Sequence, residues 1–180
     1  SCLTVGYRYA ILQNEDGSLT SWGNNYENVV SATPTSNNFK QVSAGTNHVV
    51  GVKNDGSLVS WGSDIDGETS ETPAGNNYVQ VSAGTGYSIA LDNNGYIYSW
   101  GDMGYQNEYG PYTPTNNNFV QISAGRYHAL ALTENGSLVS WGSNEGQING
   151  EISNQVANTP SGSSFVKVVA GSYHSLALKE

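Results

Sequence analysis

The stretch Val120–Gly142, VQISAGRYHALALTENGSLVSWG, recurs along the chain at fixed spacing, and this recurrence limits the fold more than any other feature. Further copies read SAGTNHVVGVKNDGSLVSWG at 43–62 and SAGTGYSIALDNNGYIYSWG at 82–101, with partial copies at 4–23 and 169–180. From the Ala of each AG pair, or Val5 in the first copy, the step to the next Trp is the same every time: 5 to 22, 44 to 61, 83 to 100 and 124 to 141. An interval that never varies behaves as a rigid object. It holds an apolar run, then Asp16-Gly17, Asp55-Gly56, Asn94-Gly95 or Asn135-Gly136, then an alternating run ending in Trp, which predicts a β-hairpin about a turn that needs positive φ. A period near forty residues with a Trp-Gly in each copy predicts an all-β array of propeller blades with antiparallel strands, about four repeats plus a half repeat.

A second constant lies upstream of each hairpin. Pro34, Pro73, Pro114 and Pro160 each follow a Thr and precede Ala44, Ala83, Ala124 and Ala170 by one unchanging interval, with Phe39, Tyr78, Phe119 and Phe165 in between. The proline ring holds the preceding Thr extended and fixes the approach to a further strand. Length varies only between Trp and Pro, from the short steps 22 to 34 and 61 to 73, through 100 to 114, to the long step 141 to 160. The chain therefore divides as one domain over 1–180, in units 1–33, 34–72, 73–113, 114–159 and a partial unit 160–180. Fixed hairpins joined by one variable connector per unit separate stability from recognition, so binding residues are expected in connectors and turns.

Composition narrows the partners. With 15 Asp and Glu against 6 Lys and Arg, the net charge of −9 opposes nucleic acid, whose binding relies on basic residues displacing counterions. It also disfavours anionic membrane surfaces, and no apolar run approaches the roughly 20 residues that span a bilayer. Ser1 is preceded by neither an initiator Met nor a signal peptide, which reads as a processed or excised chain. Cys2, the one cysteine, excludes an internal disulfide. Richness in Gly, Asn, Ser, Thr and Tyr with few Lys leans toward an extracellular or cell-surface location.

The residues Ala124-Gly125, His128, Ala131-Leu132, Asn135-Gly136, Trp141-Gly142, Asn144 and Gly146-Gln147 follow AG-x-x-H-x-x-A-L-x-x-[DN]-G-x-[LIV]-x-[ST]-W-G-x-N-x-x-G-Q. On this pattern, in register across the whole chain, the sequence resembles the regulator of chromosome condensation repeat family. The resemblance implies a seven-bladed propeller with one blade per repeat. It also implies a function as an exchange factor for small GTPases, as a protein-binding module, or as a protein inhibitor like the secreted bacterial beta-lactamase inhibitory protein II. The count departs from the family, since four Trp-containing copies and a half copy stand where the family's ring needs seven. Both ends also supply the same segment, Leu3 to Leu12 repeating Val168 to Ala177, so four blades cannot close simply. A piece of a longer propeller, two chains completing one another, and an open array prone to self-association all remain open.

No catalytic, cofactor or metal site is expected. His48, His128 and His174 share one repeat position that Tyr9 and Tyr87 fill elsewhere, which marks it as scaffold rather than a site of convergent zinc ligands. Asp64-Ile65-Asp66-Gly67-Glu68 lacks the remaining ligands of a calcium loop. Neither a G-x-S-x-G elbow nor a phosphate-cradling P-loop is present. The position before the shared His or Tyr, by contrast, is Arg8, Asn47, Gly86, Tyr127 and Tyr173, so the scaffold does not fix it. Arg8, Arg126, Tyr127 and Tyr173, with Tyr26 in the first connector and Met103, Tyr105, Tyr109 and Tyr112 in the third, are the candidate partner-binding residues, because exposed Tyr and Arg anchor protein interfaces. The expected function is a non-catalytic protein-binding module using one rim of a propeller, in its sharper form a secreted recognition or inhibitor protein. A structural subunit assembling through open blade edges, a GTPase exchange factor and a lectin are the alternatives.

Overall fold

The computed structural model describes residues 1–102, 113–143 and 156–180, together with the backbones of two short strands at 147–148 and 151–152. Each repeat forms its own antiparallel sheet. The first blade comprises β1 (Cys2–Val5), β2 (Tyr9–Gln13) and β3 (Leu19–Gly23); the second comprises β4 (Phe39–Ala44), β5 (His48–Lys53) and β6 (Leu58–Gly62). The third holds β7 (Tyr78–Ala83), β8 (Tyr87–Asp92) and β9 (Ile97–Gly101), and the fourth holds β10 (Phe119–Ala124), β11 (His128–Thr133) and β12 (Leu138–Gly142). A short pair, β13 (Gln147–Ile148) and β14 (Glu151–Ile152), lies in the last connector, and β15 (Phe165–Ala170) with β16 (Ser175–Lys179) makes a half blade. This is the all-β propeller architecture expected from the period.

The constant Ala-to-Trp interval has a local cause. In the second blade Gly56 N donates to Lys53 O at 2.9 Å and Gly56 takes a φ of 82°, a tight hairpin loop with glycine in the left-handed position. The Asp of the Asp-Gly pair keeps negative φ and caps instead, Asp55 accepting from Ser57 N at 2.9 Å and from Ser57 Oγ at 2.7 Å. Loop length and register are fixed together, so Trp61 meets Val49 across the ladder. The aromatic after each Pro begins the first strand, and a bulge follows it between Phe39 and Gln41, Tyr78 and Gln80, and Phe119 and Gln121.

Four apolar seams hold the blades together, one between each consecutive pair. The first seam sets Tyr9, Ile11 and Val29 of one repeat against Phe39, Val42, Val49 and Trp61 of the next. The second sets Val50 and Val52 against Tyr78, Val81, Ala90 and Trp100. The third sets Tyr87, Ile89, Leu91 and Ile97 against Phe119, Ile122, Ala129, Ala131 and Trp141. The fourth, against the half blade, sets Leu130 and Leu132 against Phe165, Val168 and Ala170. A blade therefore has a leading face turned to the next repeat and a trailing face turned to the previous one, and its core is shared with its neighbours.

Polar ladders run through the same seams. Gln41 Oε1 accepts from Val81 N at 3.1 Å while its Nε2 donates to Val81 O at 3.3 Å, and Gln80 and Gln121 repeat this toward Ile122 and Val168. Two residues on, Thr4, Ser43, Ser82 and Ser123 accept from the backbone N of Ala44, Ala83, Ala124 and Ala170 at 2.9–3.0 Å. These bonds satisfy first-strand backbone groups that no neighbouring strand reaches.

Candidate partner-binding rim

The AG turns of all five copies converge on one concave channel of about 640 Å³, lined by Val5-Gly6-Tyr7, Ala44-Gly45-Thr46, Ala83-Gly84-Thr85, Ala124-Gly125-Arg126 and Ala170-Gly171-Ser172. Backbone bonds tie adjacent turns together, Tyr7 N to Thr46 O at 3.1 Å and Thr46 N to Gly84 O at 3.3 Å. The glycine is obligatory there. A Cβ on Gly45 would lie 2.5 Å from Gly84 O and 2.7 Å from the His48 ring.

The Trp-Gly end of each hairpin returns to the same rim, since Gly23 pairs with Tyr9 and Asn24 N donates to Arg8 O at 2.8 Å. The AG turns and the starts of the variable connectors thus share one end of the blades. The Asp-Gly and Asn-Gly turns lie at the other, where Gly17 abuts Asn37. Arg8, Arg126, Tyr127 and Tyr173 all lie in the rim turns, and Tyr26 opens the first connector in a single 3-10 turn, Tyr26–Asn28. Met103, Tyr105, Tyr109 and Tyr112 lie outside the described residues.

The rim's chemistry is concentrated at two places. The Arg126 guanidinium stands 4.9 Å from the Tyr127 ring centre and 5.3 Å from that of Tyr173, and it donates to Tyr173 Oη. Arg8 lies 4.8 Å over the Tyr7 ring. Stacking of this kind orders a long side chain before any partner arrives. Arg8 also takes a φ of 68°, a conformation side-chain-bearing residues avoid. These are the chain's two arginines, and neither has a carboxylate partner among the described residues. Tyr7 is the rim residue that sequence reasoning passed over. Its signal lay one position earlier, where the copies read Tyr7, Thr46, Thr85, Arg126 and Ser172.

His48 and His128 sit away from the rim surface, in the seams. Both are fully buried, and each ring Nε2 lies 2.9 Å from a hydroxyl of the next repeat, Ser88 Oγ and Ser175 Oγ. Burial holds both imidazoles down to about 4, keeping them neutral, with the His174 charge adding to the effect on His128. In the same column Tyr9 Oη donates to Gly45 O at 3.0 Å and His48 O at 2.7 Å, and Tyr87 Oη to Gly125 O at 3.1 Å and His128 O at 2.6 Å. Burial pushes both phenols well above their usual range. Asp64, in the segment that suggested a calcium loop, accepts from Thr69 N and Ser70 N at 3.0 and 2.8 Å and so organises a turn.

Sheets of this form, packed face to face around a channel with one blade per repeat, define a β-propeller. The model of the regulator of chromosome condensation (RCC1) repeat matches residues 39–68, 78–110 and 119–147, just over half of the sequence, and the chain belongs to that family. No curated protein matches it at a significant level. Among solved structures, the ectodomain of the Physcomitrella patens receptor kinase CR4 superposes with a TM-score of 0.80 at 20% identity, covering 99% of this chain and 50% of that one. Prp20p from Saccharomyces cerevisiae, described with its binding to Gsp1p and histones, gives a TM-score of 0.73 at 20% identity over 98% of this chain and 55% of its own. Human WBSCR16 gives 0.73 at 16% identity over 99% and 59%. The chain thus spans about half the length of these proteins, and at such identities the likeness is one of fold.

Proposed function

We propose that this protein is a non-catalytic protein-binding module whose recognition surface is the rim of AG turns and connector starts. The observation that carries this reading is the placement of both arginines on that rim, each stacked on tyrosine and free of carboxylates among the described residues. In a chain of net charge −9, two pre-ordered guanidinium groups beside exposed Tyr suit a partner surface that offers carboxylates and apolar area. Tyr7, Arg8, Tyr26, Arg126, Tyr127 and Tyr173 are the contact residues within the described part, and Met103, Tyr105, Tyr109 and Tyr112 extend the set. A location outside the cell belongs to this reading, supported by composition alone.

Exchange on a small GTPase is the second reading, favoured by the likeness to Prp20p. Two assays separate the readings. A partner captured by the wild-type chain should be lost from an Arg8→Ala/Arg126→Ala variant that melts like wild type, and equal capture by that variant would refute the rim. Acceleration of nucleotide release from a GTPase by the chain would select the second reading.

A further inference from the structure

The third hairpin departs from its copies at three places that the scaffold leaves free. Its turn keeps Asn94-Gly95, but Asp92 stands where the other copies carry Asn14, Lys53, Thr133 and Lys179. Tyr96 stands in place of Ser18, Ser57 and Ser137, and Tyr98 in place of Thr20, Val59 and Val139. The blade is packed on both faces, against the second and the fourth, yet Tyr96 and Tyr98 are 41% and 38% exposed. Positions two apart on a strand point to one side, so the two phenols form one aromatic surface at the hairpin-turn end, opposite the rim.

A carboxylate lies beside this surface. Asp92 is buried, its Oδ1 accepting from Asn94 N and Tyr96 N at 2.9 Å each and its Oδ2 from Asn77 Nδ2 at 3.0 Å and Tyr98 Oη at 3.4 Å. Every one of these donors is neutral. All six basic residues of the chain, Arg8, Lys40, Lys53, Arg126, Lys167 and Lys179, are described, and none is among the partners of Asp92. The charge is thus solvated by dipoles but not cancelled by a cation, and its field acts on whatever lies against the two phenols. The Tyr98 hydroxyl, polarised toward that anion, leaves its ring richer in electrons, which strengthens the attraction of the ring face for a cation. Tyr78 holds the Tyr98 ring in place, edge to face at 5.4 Å and 84°, while its own Oη donates to Ala74 O at 3.2 Å. Burial, then Asp92, then Tyr96 keep the Tyr98 phenol above its ordinary value, so it stays a donor.

We propose that Tyr96 and Tyr98, backed by the Asp92 carboxylate, form a second contact site that takes a lysine or arginine side chain of a partner protein. The site goes beyond the rim and complements it. The rim offers guanidinium groups to carboxylates, and the opposite end of the third blade offers aromatic faces and a negative charge to a cation. Charge selects the occupant: an acidic partner segment would be repelled by Asp92, and an apolar one would gain nothing from it.

An NMR titration of the full chain tests this at about 0.15 M salt, where charges more than about 8 Å away are screened. The probes are acetyl-Gly-Lys-Gly-amide and the same peptide acetylated on the lysine side-chain nitrogen. The lysine peptide should shift the ring resonances of Tyr96 and Tyr98 and bind about fivefold or more tighter than the acetylated one. Tyr96→Ser/Tyr98→Val installs the pair that the second and fourth blades carry, so it should keep the fold and lose that preference. Asp92→Asn keeps an acceptor for the turn amides and should weaken the lysine peptide alone. Arg8→Ala/Arg126→Ala should bind the peptide like wild type, which separates this site from the rim. Equal binding of the acetylated peptide would make the surface merely apolar, and equal binding by the tyrosine variant would reduce it to general attraction by an acidic chain. Methyl glucoside shifting the same rings where the lysine peptide does not would assign the surface to carbohydrate, and any of these three results overturns the proposal.

Discussion

Trp22 and Trp61 occupy the same repeat position, pair with equivalent strand neighbours and precede the same glycine, yet one is 47% exposed and the other 6%. The indole of Trp61 lies against the leading face of the first blade, packs edge-on to Phe39 at 6.0 Å and donates to Val29 O at 3.2 Å. Trp100 does likewise toward Glu68 O at 2.9 Å. No other blade of the described array covers Trp22. The difference shows that a blade of this protein makes its strands from its own sequence and its core from its neighbour's. Truncating the two indoles should magnify it. Trp100→Ala should cost about 3–5 kcal/mol, as large-to-small core changes do, while Trp22→Ala should cost less than about 1 kcal/mol. Urea denaturation of both variants measures this, and similar losses would mean that blades carry their own cores.

The seams themselves differ in the pair that crosses them, His with Ser or Tyr with backbone carbonyls, and pH separates them. His48 titrates near 4 when folded and near 6.5 when unfolded. A base with a depressed folded value stabilises the fold fully above the unfolded value, and that stability is lost as pH falls from about 6.5 to 4, because the unfolded chain binds the proton first. For His48 the loss is about 3 kcal/mol at most, at about 1.36 kcal/mol per pH unit. His128 shifts in the same direction. The carboxylates Asp16, Asp55 and Asp64, which accept turn hydrogen bonds, are shifted down and act only at lower pH, Asp64 at about 2. Exchanging one pair, His48→Tyr with Ser88→Ala, should therefore flatten the stability profile between pH 6.5 and 4. A profile unchanged by the exchange would assign the acid sensitivity elsewhere.

This pairing shows where sequence reading reached and where it stopped. Hairpins and first strands were legible, because Asp-Gly turns and constant intervals act within one repeat; the bulge in each first strand was not. The Gln41 and Ser43 columns were equally visible as repeats, but their partners, Val81 and Ala83, lie a whole repeat away on another sheet, and no local pattern states that distance. The mixed His and Tyr column looked like free substitution. It is free only within a copy, since the choice is matched by Ser88 and Ser175 or by Val49 and Ala129 in the following copy. Arg8 and Arg126 could be singled out as exceptions to the repeat, but their stacking on Tyr7, Tyr127 and Tyr173 depends on how adjacent turns converge. That convergence is a property of the assembled array of turns.

The smallest expected effect lies in the serine ladder and sharpens the contrast between interior and end once more. Ser82 Oγ accepts from Ala124 N at 2.9 Å, in a first strand whose outward backbone groups have no neighbouring strand to pair with. Ser82→Ala removes that acceptor and leaves a part-buried amide, so the fold should lose about 1 kcal/mol. Val169 holds the equivalent place on the half blade, with no repeat beyond it in the described array to supply an amide. Val169→Ser should accordingly leave stability within about 0.5 kcal/mol of wild type, in the range of surface substitutions. Paired urea titrations decide it. Equal and opposite changes of about 1 kcal/mol at both sites would show that the hydroxyl acts within its own strand, and the ladder would then contribute nothing to the joining of blades.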